Sequence, residues 1–184
     1  IRYYDNIHGL ASSFTTVWGN WNVQGEATYF QNTPIADAEG MMERMPVTKL
    51  NFGGTYVVQP TFMWDDLSIL IEAAGVFANG KTDGDLQFDS NAWNYVVRAE
   101  ASYFNVAQGL DLKLPVFFQH AVVGTWGGAG TIQVNNSKAL SIALQSIYLN
   151  DYIVQLTYTT YFDGGMENLI VDRDNIALSF KYAF

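Results

Sequence analysis

The 184 residues carry 9 basic and 18 acidic side chains, a net charge of -9, which leaves no basic patch for nucleic acid. There are no cysteines, so disulfide and thiolate chemistry are excluded. Apolar residues make up 49% of the chain, yet they are dispersed, and no run approaches the ~20 apolar residues of a membrane-spanning helix.

Dispersal at a fixed period is informative. Along the chain, apolar and polar residues alternate every two positions in nine segments, the period of a β-strand with unlike faces. The first, 9–18, places Leu10, Phe14 and Trp18 on one face and ends at the turn signal Gly19-Asn20. In the second, Trp21, Val23, Gly25, Ala27 and Tyr29 oppose Asn22, Gln24, Glu26 and Thr28. A long loop is expected over 31–46. The third strand sets Leu50, Phe52, Tyr56 and Val58 against Lys49, Asn51, Thr55 and Gln59, and a link through 60–66 follows.

The fourth aligns Leu67, Ile69, Ile71, Ala73 and Phe77 opposite Ser68 and Glu72, before a polar loop over 78–90. In the fifth, Trp93, Tyr95, Val97, Ala99, Ala101 and Tyr103 oppose Asn94, Arg98, Glu100 and Ser102. After Gln108-Gly109, the sixth sets Leu110, Leu112, Leu114, Val116 and Phe118 against Asp111, Lys113 and Gln119. Pro115 within it lacks a ladder donor, which predicts a bulge or local break.

A glycine-rich loop over 124–136 leads to the seventh strand, with Leu140, Ile142, Leu144 and Tyr148 on one face. Past Leu149-Asn150-Asp151, the eighth sets Tyr152, Val154, Leu156, Tyr158 and Phe162 against Gln155, Thr157 and Thr159. A loop over 163–172 precedes the last strand, Ile176, Leu178, Phe180, Tyr182 and Phe184 against Ala177, Ser179, Lys181 and Ala183.

Short and long connections alternate, as in barrels with short periplasmic turns and long extracellular loops. The fold class expected is therefore all-β: a transmembrane antiparallel up-and-down β-barrel with about nine strands here, in a single domain over 1–184. A soluble barrel would also alternate, but its polar face should be rich in Lys, Glu and Asp. Here that face holds Ser, Thr, Asn, Gln and Ala, with about one charge per strand. Nine is an awkward number, since an antiparallel meander closes with an even count. Either a further strand lies near 1–7 or the chain is part of a larger barrel.

Several stretches together resemble an outer-membrane family catalogued as domain of unknown function 1302. They are Ile7-His-Gly-Leu10, Gly25-Glu-Ala-Thr-Tyr29 with Asn32-Thr-Pro34, Asp66-Leu-Ser-Ile-Leu-Ile-Glu72, Gly109-Leu-Asp-Leu-Lys-Leu-Pro115, Gln119-His120 with Gly124, Lys138-Ala-Leu-Ser-Ile-Ala-Leu144, and Asp172-Arg173-Asp174 onward to Phe184. The resemblance implies the C-terminal part of a longer protein of the Gram-negative outer membrane, with further strands ahead of Ile1. It implies partners too: outer-membrane lipid, the outer-membrane assembly machinery, a periplasmic protein and an inner-membrane exporter. Phe180, Tyr182 and Phe184 resemble the C-terminal signal which that machinery reads. Phe30, where the family tends to have Arg, and Ala121, where it tends to have an acidic residue, depart from the pattern.

Inward parity collects Glu26, Lys49, Glu72, Arg98, Glu100, Lys113 and Lys181. They either filter what passes a polar lumen or pair across strands to brace it. His120 shares the lipid-facing parity of Phe118, and no Gly-x-Ser-x-Gly occurs, so an interfacial histidine is expected rather than a catalytic one and no enzyme activity is implied. Asp83, Asp85 and Asp89 superficially resemble a calcium loop but lack its full ligand set, so a solvated acidic loop is expected. The glycines over 124–130 lack the Lys and following helix of a phosphate cradle. No cofactor or metal is expected. The function expected is a channel or conduit, and the family resemblance implies a hydrophobic or lipid-like solute; the alternative is a structural or docking barrel.

Overall fold

The computed structural model describes residues 5–127 and 133–183. Nine strands follow one another: β1 (His8–Trp18), β2 (Trp21–Ala36), β3 (Met42–Val58), β4 (Asp66–Ala78), β5 (Asn91–Ala107), β6 (Leu110–Val123), β7 (Lys138–Tyr148), β8 (Tyr152–Phe162) and β9 (Asn175–Tyr182). Each pairs antiparallel with the next, giving one up-and-down sheet in chain order. Two single 3-10 turns, 83–85 and 165–167, are the helical content among the described residues. No helix is long and apolar enough to cross a membrane, which has no bearing on crossing by strands.

The sheet is open. β1 and β9 lie at its two edges and are not paired with each other, so a barrel closed by these nine strands is not formed. Parity explains this: in an up-and-down order of nine, the first and last strands run in the same direction and cannot close an antiparallel ladder.

The loop expected over 31–46 is mostly strand. Asn32 adopts a left-handed backbone (φ 60°) inside a register shift between Phe30 and Thr33, after which pairing resumes from Thr33↔Met45 to Ala36↔Met42. The hairpin is then closed by Asp37, whose Oδ1 accepts the N–H groups of Glu39 and Met41 at 3.1 and 2.7 Å. Pro115 acts as a local break, not a bulge. The β6–β7 pairing omits Leu114 and Pro115 but keeps one register on both sides. Register shifts lie instead in the β5–β6 pair, between Trp93 and Asn94 and between Tyr103 and Ala107 of β5.

Turns 19–20, 59–65, 108–109 and 149–151 are at one end of the sheet, and connections 37–41, 79–90, 124–137 and 163–174 at the other. The buried core gathers at that second end, as Ile35, Met45, Val47, Ala78, Leu86, Ala92 and Trp126. Strand alternation places Met45 and Val47 on the same side of β3 as Lys49 and Asn51. The loops therefore fold onto the polar face of the sheet.

Candidate functional site: the polar face and its two clefts

The two faces differ sharply in chemistry. One is apolar and exposed: Leu10 is 74% accessible, Trp18 80%, Leu178 73% and Phe180 65%. Its middle is aliphatic, with a cross-strand row such as Ile69, Ala99, Val116 and Ile142. Aromatic rings collect toward both ends. At the short-turn end Trp21 packs on Tyr56 at 4.9 Å between centroids, and Tyr152 lies between Tyr148 (6.4 Å) and Tyr182 (4.9 Å, stacked). At the long-loop end Trp93, Tyr95, Phe118 and Phe162 form a row with successive centroids 6.1–6.4 Å apart.

His120 belongs to this second row. Its ring meets Tyr95 edge to face at 5.5 Å, and Nε2 lies 3.2 Å from Asn136 Oδ1. Among the described residues it has packing and amide partners and stands with aromatic neighbours.

The opposite face carries the charged candidates and several open clefts, two of which gather most of those candidates. Side chains from five successive strands line the first, which requires the sheet to curve around it. It measures about 400 Å³ and includes Glu26, Lys49, Asn51, Asn94, Gln119 and Trp126. Lys49 Nζ stands 5.9 Å from the Phe30 ring centroid. Glu72 is held by Asn51, whose Nδ2 donates to Oε1 at 2.8 Å. The second cleft, about 520 Å³, includes Arg98, Glu100, Lys113, Gln145, Gln155 and Thr157. There Glu100 accepts from Arg98 Nη2 at 2.6 Å and from Lys113 Nζ at 3.0 Å. Gln145 donates to Gln155 Oε1 at 2.8 Å, and Gln155 in turn to Thr157 Oγ1 at 2.9 Å.

Of the seven inward candidates, then, the fold brings together Arg98, Glu100 and Lys113. Glu26 and Lys49 share the other cleft, and Glu72 is paired with Asn51. Lys181 lies on edge strand β9, opposite Ile153. Phe180 and Tyr182 stand on the apolar side of β9, while Phe184 lies outside the described residues.

The long loops are stapled by the acids that looked like a calcium loop. Asp83 Oδ1 accepts Ser90 N–H and O–H at 2.7 and 2.8 Å, and both donations hold its carboxyl below the ordinary value of 3.8. Asp85 Oδ2 accepts Thr82 N–H and O–H, each at 2.8 Å, and is lowered for the same reason. Asp89 Oδ2 accepts Thr125 N–H at 2.6 Å. All three carboxylates are thus turned toward backbone and hydroxyl donors. Lys81, paired to Glu43 at 2.6 Å, is raised, chiefly by that hydrogen bond.

Sequence reasoning missed Gln133. Its Nε2 donates toward the carbonyls of Trp93, Val123 and Gly124 at 3.0–3.2 Å, and its Oε1 accepts Asn94 Nδ2 at 2.8 Å. With the Trp126↔Gln133 bridge, this seats Trp126 and Gln133, on either side of 128–132 in the glycine-rich connection, against the first cleft. A lone Gln in a loop carries no signal by which it could have been found. Residues 128–132 of that connection lie outside the described residues.

An up-and-down antiparallel sheet with an exposed apolar face, aromatic rows at both ends and clefts on the polar face defines the class of this chain. It belongs to the family described as Protein of unknown function (DUF1302), whose model matches residues 1–184. No curated protein and no solved structure matches it.

Proposed function

We propose that this sheet is a segment of a transmembrane β-barrel of a Gram-negative outer membrane, serving as a channel or conduit for a hydrophobic or lipid-like solute. One observation carries the reading: large apolar side chains are exposed on one face of all nine strands, while charges and amides collect on the other. Such an exposed apolar sheet would aggregate in water, whereas lipid covers it without cost. The two aromatic rows have the chemistry of interfacial girdles, and the polar face then lines a lumen. On this reading Phe180, Tyr182 and Phe184 serve recognition by the assembly machinery. The long-loop end faces outward, and a periplasmic partner and an inner-membrane exporter complete the route.

The loop-end core favours a second reading. Leu86 and Trp126 pack with Val47 and Met45 on the polar side, and a lumen filled in this way suits a structural or docking barrel. Planar-bilayer conductance of the purified protein, together with efflux from a deletion strain, separates the two. Steps of conductance and loss of export support the conduit. A sealed bilayer with unchanged export, and a partner co-purifying in detergent, would overturn it.

A further inference from the structure

From the second cleft we infer an anion subsite: Arg98 and Lys113, sharing the single carboxylate of Glu100, take the phosphate or carboxylate head of a solute. The inference rests on the reading of this face as a lumen.

Two cations meet one carboxylate here, at 2.6 and 3.0 Å, so one positive charge is left over. Exposure decides where that charge is felt. The Glu100 side chain is 19% accessible, Lys113 33% and Arg98 55%, so the carboxylate lies beneath and the cationic heads stand at the cleft surface. Each cation gives Glu100 one hydrogen bond, while a guanidinium has five N–H donors and an ammonium three, so donors remain for a second acceptor.

The other cleft residues, Pro115, Phe117, Ser141, Ala143, Gln145, Gln155 and Thr157, include no second carboxylate to cancel the excess. Phe117 and Pro115 offer apolar surface beside the charge, as a head group with an alkyl tail requires. The excess is local to this cleft, within a strongly acidic protein, and acts on anions at short range.

The test is calorimetric titration of the detergent-solubilised protein with hexyl phosphate and hexanoate, with hexyltrimethylammonium as the opposite-charge probe. Arg98→Gln and Lys113→Gln should each weaken the anionic probes about tenfold or more, the loss of one charge-assisted hydrogen bond. Glu100→Gln should tighten them, a gain that misfolding cannot produce, and added salt should weaken them. Absence of anion binding, equal binding of the ammonium probe, or affinities unmoved in all three variants would overturn the subsite. Conductance judges the lumen separately: an open pore without anion binding removes the subsite alone, and a sealed barrel that binds the probes removes the conduit alone.

Discussion

Asp89 and Thr125 hold each other reciprocally: Thr125 N–H donates to Asp89 Oδ2 at 2.6 Å, and Asp89 N–H donates to the Thr125 carbonyl at 3.0 Å. The Thr125 hydroxyl also donates to Glu167 Oε2 at 3.2 Å and accepts Asn135 N–H at 3.1 Å. One residue therefore ties together the connections 79–90, 124–137 and 163–174. A hydrogen bond to a charged group contributes about 1.5–3 kcal/mol. Asp89→Ala should accordingly raise the open population of these loops roughly 10- to 100-fold, read as faster chymotryptic nicking at Leu86 and Phe88 with the β-signal of circular dichroism unchanged. Equal nicking rates in the variant and the parent would show that the loops are held by something else.

Gly124 sets the path of the same connection. It has φ +82°, and a Cβ there would lie 2.1 Å from the carbonyl oxygen of Asn91 and 2.8 Å from Ala92 Cα. Those are backbone atoms of β5 and cannot swing aside. Gly124→Ala should cost on the order of 2–4 kcal/mol, from clash and left-handed strain together. Gly40 is the control. It has φ +79° and nothing within 4 Å of its Cβ position, so Gly40→Ala should cost only about 1–2 kcal/mol. Urea unfolding in detergent compares them, and equal costs would refute the close approach.

Strand alternation made most of this sheet legible, because period two fixes both the conformation and the face of each side chain. Arg98, Glu100 and Lys113 could be assigned to one face from parity alone. Their meeting depended on the β5–β6 register, which sets Glu100 opposite Pro115 and Ser102 opposite Lys113. Register across a hairpin depends on bulges, and the shift between Tyr103 and Ala107 leaves no clear mark in the sequence. The stretch 31–46 misled for a related reason: Asn32, Pro34 and Gly40 are turn residues, yet only 37–41 turns, because Asn32 is absorbed in a bulge. The loop-end core was hidden because Leu86 and Trp126 lie in polar or glycine-rich connections, where no sustained period marks them.

Acid should loosen the 79–90 connection before the sheet. Asp83 and Asp85 are held below 3.8 by the Ser90 and Thr82 donors. A depressed folded value means that the stabilisation is fully present above 3.8 and is lost as pH falls from there through the lowered values. In a nuclear magnetic resonance titration, the Ser90 and Thr82 amide shifts should move with midpoints below 3.8. Asp83→Asn should abolish the Ser90 transition and leave that of Thr82. Midpoints at or above 3.8 would contradict the hydrogen-bond geometry.

The lipid assignment of the apolar face can be decided with one pair of neighbours on β8. Leu156 sits among Leu144 and Leu178 on the apolar face and is 50% exposed, while Gln155 points into the cleft of Arg98 and Lys113. If the first face meets hydrocarbon, Leu156→Arg near mid-band should cost about 2–4 kcal/mol, the penalty for a cation at the bilayer midplane. If it meets water, the same change is a surface substitution and should stay within about 0.5 kcal/mol. Gln155→Arg adds the same charge one residue away on the aqueous side, where its cost, the lost amide pairing with Gln145 and repulsion from Arg98 and Lys113, is the same under either reading. It therefore reports any effect of the charge itself. The difference between the two variants, measured by reversible folding into phosphatidylcholine vesicles, is the quantity to read. Equal costs for Leu156→Arg and Gln155→Arg would remove the physical basis for a membrane-facing sheet.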